Sequence, residues 1–145
     1  MNKVLNTRPP GWFWVASVLL LIWNGLGGGI YLLLNTASVS ELSSNYSDVI
    51  LEAMAIAADA PAAFAIAIAT GLVGSLLLLA RNGHARLFFL VSLFAVFVQY
   101  FWAFALDGFL GAVSAGAIVL SLLGVVICVF QLWLSGKGIA RGWLR

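Results

Sequence analysis

An all-α, polytopic membrane protein of four transmembrane helices is what this sequence predicts, on three observations. Of its 145 residues 63% are hydrophobic and 8% charged, with a mean hydropathy of +1.10, too apolar for a soluble domain of ordinary composition. Crossing about 30 Å of hydrocarbon takes roughly 20 helical residues, so the length holds about four spans and no separate soluble domain. The charges are also segregated. Lys3, Arg8, Arg81, Arg86, Lys137, Arg141 and Arg145 flank one set of segment ends, whereas Glu41, Asp48, Glu52, Asp59 and Asp107 fall at the opposite set. Because cytoplasmic ends carry the excess of Lys and Arg, the N-terminus, the 81–86 loop and the C-terminus are assigned to the cytoplasm and the acidic gaps to the outer face.

The first span, about residues 12–34, opens after Pro9-Pro10-Gly11, a stretch that cannot continue a helix backwards. It is too long for a signal-peptide core and lacks a small-residue cleavage site, so it is expected to stay in the mature chain. In the outer segment 35–60, Ser38-Val39-Ser40-Glu41 matches a capping box, and Val49, Ile50, Met54 and Ile56 form an apolar stripe. Residues 47–60 read equally as a short periplasmic surface helix or as an extension of the second span. That span, about 61–80, begins at Pro61, whose missing N–H costs nothing in a first turn, with Asp59 placed to cap it. The third and fourth spans, about 87–106 and 112–135, are joined by residues 107–111 as a tight hairpin. Trp12, Trp14, Trp133 and Trp143 mark the cytoplasmic boundary, where an indole meets both lipid and water. Residues 1–145 form a single transmembrane domain on this reading.

Lipid tails solvate leucine as well as a protein interior does, so spans associate by close backbone approach and interhelical hydrogen bonds. Small residues therefore mark the expected packing faces: Gly25 and Gly29 in the first span, Ala63, Ala67, Gly71 and Ser75 in the second with Gly74 on a neighbouring row, and Gly116 and Gly124 in the fourth. Phe94, Phe97, Phe101 and Phe104 make a bulky stripe on the third span, expected to fill the space the glycines leave. The run Gly27 to Gly29 exceeds what packing requires, and glycine runs permit a kink or a close approach by a ligand.

Ionisable groups within a span usually carry function, but the acids here lie at the outer boundary, which argues against a proton-coupled pump. Neutral polar groups remain. Asn24 and Gln99 each lie twelve residues into their runs, roughly 18 Å above the cytoplasmic boundary, and Thr70 and Ser121 fall within a turn of that depth. Amides in hydrocarbon need partners, so Asn24 and Gln99 are expected to face inward, either as interhelical ties to each other or a hydroxyl, or as the lining of a polar cavity bounded by Trp23, Tyr100 and Trp102. Aromatic rings beside amides suit a small uncharged ligand.

Catalytic chemistry finds no footing. The lone Cys128 lies in an apolar run, and one thiol makes neither an internal disulfide nor a four-cysteine metal site. His84 has no second ligand-type partner nearby, and no nucleophile–base pair, phosphate-binding glycine loop or deep carboxylate dyad is present. Neither enzyme activity, a cofactor nor a metal is expected. The pI near 9.0 comes from bases spread over three short ends, not from a patch suited to nucleic acid.

The stretch from Pro61-Ala62-Ala63-Phe64 through Gly71, Gly74-Ser75-Leu76-Leu77-Leu78-Leu79 and Arg81, then Leu87-Phe88 to Gln99, with Trp23-Asn24-Gly25 in the first span, resembles a family of small four-helix bacterial inner-membrane proteins that often carry the general label sugar transporter. Ala62 departs from the aromatic expected after the proline. The resemblance implies an inner-membrane location and a transport-related role. The resulting expectation is a multi-pass inner-membrane protein, N-in and C-in, that binds a small polar or uncharged solute through Trp23, Asn24, Thr70, Gln99, Tyr100 and Ser121 and works as a homo-oligomer. The alternative is an accessory subunit docking on a larger membrane-protein partner through its Gly/Ala-rich faces.

Overall fold

The computed structural model describes residues 7–106, 108 and 111–145; Lys3, Asp107 and most of the 107–111 hairpin lie outside the described residues. Six α-helices and no strands occur among the described residues: α1 (Gly11–Thr36), α2 (Val39–Asn45), α3 (Asp48–Asp59), α4 (Pro61–Leu79), α5 (Ala85–Phe101) and α6 (Ala115–Ala140). A π-helical turn, Trp102–Leu106, extends α5. Four helical segments are long and apolar enough to cross a membrane, namely α1, α4, α5 with its π turn, and α6. The chain is therefore an integral, multi-pass membrane protein.

The outer segment is built by local chemistry. Asn35 Nδ2 donates to the Tyr31 carbonyl and Thr36 Oγ1 to the Leu32 carbonyl, side-chain bonds back onto the last turns of α1. Ser38 and Glu41 then form the expected capping box and start α2. The ambiguity over residues 47–60 resolves into a separate helix. Ala60, at φ −122° and ψ 72°, leaves the helical region, as the residue before a proline tends to do, so α3 and α4 are distinct. Ala60 also takes the N-cap position of α4 and no side chain caps it; Asp59, expected as that cap, is instead the last residue of α3.

The opposite end is closed by two matching helix terminations. Past α4, Arg81 takes the left-handed conformation (φ 60°), with Asn82 N donating to the Leu77 carbonyl and Arg81 N to that of Leu78. Past α6, Gly142 does the same (φ 69°), with Trp143 N on the Gly138 carbonyl and Gly142 N on that of Ile139. Both are Schellman closures. The second lies five residues beyond the expected end at 135, because Ser135, Gly136 and Gly138 continue α6 and Gly138 is packed under Leu144.

These closures bring the tail onto the loop. Gly83 N donates to the Arg145 carbonyl (2.7 Å) and Arg145 N to the Arg81 carbonyl (2.8 Å). Arg81 Nε donates to the Trp143 carbonyl (2.8 Å), and the Thr7 hydroxyl to the carbonyl of Arg141. Trp143 sits edge-on to Trp12 and Phe13, and Lys137 Nζ lies over the rings of Trp133 (4.5 Å) and Trp12 (5.2 Å). The start of the described chain, the 81–84 loop and the C-terminal residues thus share one end of the bundle.

Packing follows the row α1–α4–α5–α6, with α3 lying across one end in contact with all four. The inward faces are small or polar: Ala67, Gly71, Gly74 and Ser75 on α4, Ser92, Ala95 and Gln99 on α5, Ser121, Gln131 and Ser135 on α6. Many bulky apolar side chains point outward instead, while Phe13, Leu78, Phe89 and Leu134 are buried near one end. Phe94, Phe97 and Phe101 are exposed, correcting for these three the expectation that the stripe fills the interior, while Phe104 packs on Ile56, Ala103 and Ala117; in lipid there is no penalty for an outward Phe, while close backbone approach requires small inward residues. The aromatic ring that does meet a glycine is Phe89, whose edge atoms lie 2.7 and 2.8 Å from where a Cβ on Gly74 would stand.

A similar correction applies to α1. Gly25 and Gly29 face outward with nothing within 4 Å, whereas Gly27 and Gly28 turn toward Ile68 and Leu72 of α4. Gly71 lies against Asn24, Gly116 against Val49 of α3, and Gly124 against the Tyr100 hydroxyl.

Candidate functional site

Between the row of spans and the crossing α3 lies a cavity of about 380 Å³, at the small end of the range for ligand pockets. The stripe Phe13, Ser17, Leu20 and Asn24 at spacings of four, three and four is the buried face of α1, and it carries Asn24 to this cavity. Asn24 Nδ2 donates to the Leu20 carbonyl (2.8 Å) and to Ser75 Oγ of α4 (3.1 Å). Ser75 in turn donates to the Gly71 carbonyl (2.8 Å). The carboxamide fits only because Gly71 has no side chain: its Cγ lies 3.0 Å from where a Cβ would stand.

On α5, Ser92 and Gln99 share a face at a seven-residue spacing, two helical turns. Ser92 Oγ donates across to the Ala67 carbonyl of α4 (2.8 Å), an interhelical tie. Gln99 is different. It is 3% exposed and lines the cavity, yet among the described residues its carboxamide makes no hydrogen bond. Tyr100 brings its hydroxyl beside Gly124 of α6, and Ser121 donates to the Ala117 carbonyl of its own helix (3.0 Å), leaving its oxygen able to accept.

Five of the six residues expected at the site, Trp23, Asn24, Gln99, Tyr100 and Ser121, line this one cavity. Thr70 does not. Its hydroxyl donates to the Ile66 carbonyl of its own helix (2.6 Å) on another face of α4, and Ser75 stands in its place as the partner of Asn24. Trp102, expected as a boundary, lies in the π turn, 47% exposed and away from the cavity. Nor do Asn24 and Gln99 bond to each other.

Several participants escaped sequence reasoning. Ser92 and Cys128 line the cavity, and so do Ala53 and Met54 of α3. The three-and-four spacing of Ser121, Gly124, Cys128, Gln131 and Ser135 is a signal that finds the inward face of α6. Gln131, one turn from Cys128, is 1% exposed with neither amide atom hydrogen-bonded among the described residues, although it does not line the cavity.

Apolar residues cover both ends of the cavity. At the α3 end Met54, Ile56 and Ala57 are buried, with Ile56 packed on Ala103 and Ala117. The Glu52 carboxylate accepts from Ser114 N (2.8 Å), tying α3 to the start of α6; hydrogen bonding from the Ser114 hydroxyl and backbone N–H holds Glu52 below the ordinary carboxylate value. At the other end Phe13, Leu20, Leu78, Phe89, Leu134 and Trp143 form one cluster. No group of three or more His, Cys, Asp or Glu side chains suited to a metal ion occurs among the described residues.

Comparison with protein families, with curated sequences and with solved structures found no match. What the fold and cavity define is therefore a class, a multi-pass helical membrane protein, and the chemistry of the cavity carries the functional reading.

Proposed function

We propose that this protein binds a small uncharged molecule between its spans, as a non-catalytic binding or transport component of the bacterial inner membrane. The observation that carries this reading is Gln99: a carboxamide removed from water without a partner forfeits roughly 1–3 kcal/mol, and this one lines a cavity of ligand size. A ligand carrying one acceptor and one donor repays that cost. Asn24 Oδ1, the Ser121 oxygen and the Tyr100 hydroxyl offer further polar contacts on the same walls. Neutral groups alone favour an uncharged ligand, since a charge buried here finds no counter-ion.

On this reading the end bearing Arg81, Arg86, Lys137, Arg141 and Arg145 is cytoplasmic, in keeping with the excess of bases there, and the resemblance to small inner-membrane proteins supports the location. Four spans leave little room for a pathway through one protomer, so transport calls for a homo-oligomer. A structure determined in lipid nanodiscs tests the assignment. Density within hydrogen-bonding distance of the Gln99 amide is the expected result. A cavity filled by repacked side chains, or a foreign helix seated in it, overturns the ligand-binding reading, the second in favour of an accessory subunit.

A further inference from the structure

Buried residues of α3 cover one end of the cavity and the apolar cluster around Phe13 the other, and the exposed bulky apolar residues of its lining, Trp23, Leu26, Ile50 and Leu120, lie on α1, α3 and α6. α1 packs along α4 and α6 along α5, while α1 and α6 are not packed along each other. The cavity reaches this seam: Trp23 and Leu26 of α1 and Leu120 of α6 line it and are also exposed on the lipid-facing surface, Leu26 at 62%. Behind this apolar rim the walls remain largely apolar, and the polar groups lie deep. Asn24 is held there by its bond to Ser75 (3.1 Å), and Gln99 lines the same cavity with its carboxamide unpaired among the described residues.

We infer that the ligand is a membrane-dissolved amphiphile with an uncharged hydroxyl or carbonyl head, which enters sideways between α1 and α6 and places its head at Gln99. This inference rests on the binding reading above and adds the ligand's class and route. A water-soluble solute would have to pass Ile50 and the buried apolar residues of α3, or the apolar cluster at the other end, whereas an amphiphile partitions into hydrocarbon and passes Trp23, Leu26 and Leu120. The head group leaves a solvent that offers no hydrogen bonds and gains them at Gln99, so the polar end directs insertion.

The test uses the full chain in lipid nanodiscs, with a diazirine-bearing fatty alcohol as photo-crosslinking probe and mass spectrometry to locate the labelled residues. Saturable labelling of the cavity walls is expected, suppressed by dodecanol at a lower membrane concentration than by dodecane. Gln99→Leu is expected to weaken the competition by dodecanol roughly fivefold, the worth of one hydrogen bond, and to leave that by dodecane unchanged. Ser121→Ala, which trims one oxygen without altering the wall's shape, guards against a folding defect in the first variant and is expected to cost about two- to threefold.

Equal competition by dodecanol and dodecane, or indifference to both substitutions, overturns the head-group assignment. Suppression of labelling by glucose but not by dodecanol overturns the lateral route while leaving the binding function standing. Labelling that no competitor saturates removes both.

Discussion

The contact between Asn24 and Gly71 offers a sharp check on how α1 and α4 are registered. Gly71→Ala places a Cβ within 3.0 Å of the Asn24 Cγ and 3.4 Å of the Ser92 hydroxyl, in a region where both partners are fixed by hydrogen bonds. Overpacking of this kind costs about 1–3 kcal/mol, offset by about 1 kcal/mol of helix propensity gained on replacing glycine, for a net loss near 1 kcal/mol. Asn24→Ala alone removes the bond to Ser75, worth about 0.6–1.7 kcal/mol in a membrane. In the double variant the new methyl meets no carboxamide. It should therefore be more stable than the sum of the single losses by about 1–2 kcal/mol. Reversible unfolding in mixed micelles, followed by helical circular dichroism across a titration of sodium dodecyl sulfate, measures all four corners of the cycle. Additivity within about 0.5 kcal/mol would show that the two residues do not touch and would refute the register from which the cavity is built.

Three further outcomes follow from the same coordinates. Gln131→Leu is expected to be neutral or stabilising by about 1 kcal/mol in the same titration, since it exchanges an unpaired buried amide for an apolar group of similar size; a loss above that would mean the amide is satisfied in the folded protein. Gly25→Ala and Gly29→Ala, with nothing within 4 Å, should stabilise by up to about 1 kcal/mol through helix propensity, whereas Gly27→Ala meets the flexible end of Ile68, which must turn aside, and should gain less than either; a destabilising Gly25→Ala would contradict the outward placement of that row. Because the folded-state pKa of Glu52 lies below its ordinary value of 4.5, the stability it contributes is complete above that value and is lost as pH falls through the lowered pKa. Hydrogen exchange in α3 and the first turn of α6 should accordingly accelerate on acidification in the native protein and lose that acid response in Glu52→Gln, with an unchanged response in the variant assigning the effect elsewhere.

The covered ends give the cavity its functional direction. In a solute carrier a polar path links water to the site, yet here the polar groups of the cavity wall are Asn24, which bonds to Ser75, together with Ser92, Gln99, Tyr100 and Ser121, and apolar residues cover both ends. The inner half carries Ser17, Gln131 and Ser135 on inward faces, but Ser17 and Ser135 are turned back onto their own helices, at the Phe13 and Leu132 carbonyls. Hydroxyls so committed add little to a conduit. The deep polar groups and the apolar rim together favour capture from the bilayer.

Much of the architecture could be read from local residues. Pro10, Ser38 with Glu41, and Pro61 act within a turn of where they stand, and so the element starts near 11, 39 and 61 were accessible. The end of α6 was not, because Gly142 closes it only together with the packing of Leu144 on Gly138. For the site, depth counting placed Asn24, Gln99 and Ser121 together but could not separate Thr70 from Ser75. Those two differ by five residues, which is more than one turn and so changes the face as well as the level.

By itself the sequence determined the class: apolar runs of spanning length and segregated charge leave a backbone no stable state but helices across a bilayer, since each N–H and C=O must be satisfied within its own segment. It also placed the acids at the ends of the runs, so that the polar groups within the spans are neutral. Only the tertiary structure decided which residues face one another. In lipid, apolar character does not distinguish inside from outside, so the glycine and phenylalanine stripes are ambiguous until rotation about each helix axis is known. That rotation turned Gly25 and Phe94 outward, set Asn24 on Ser75, and left Gln99 on the wall of a cavity between the spans and α3.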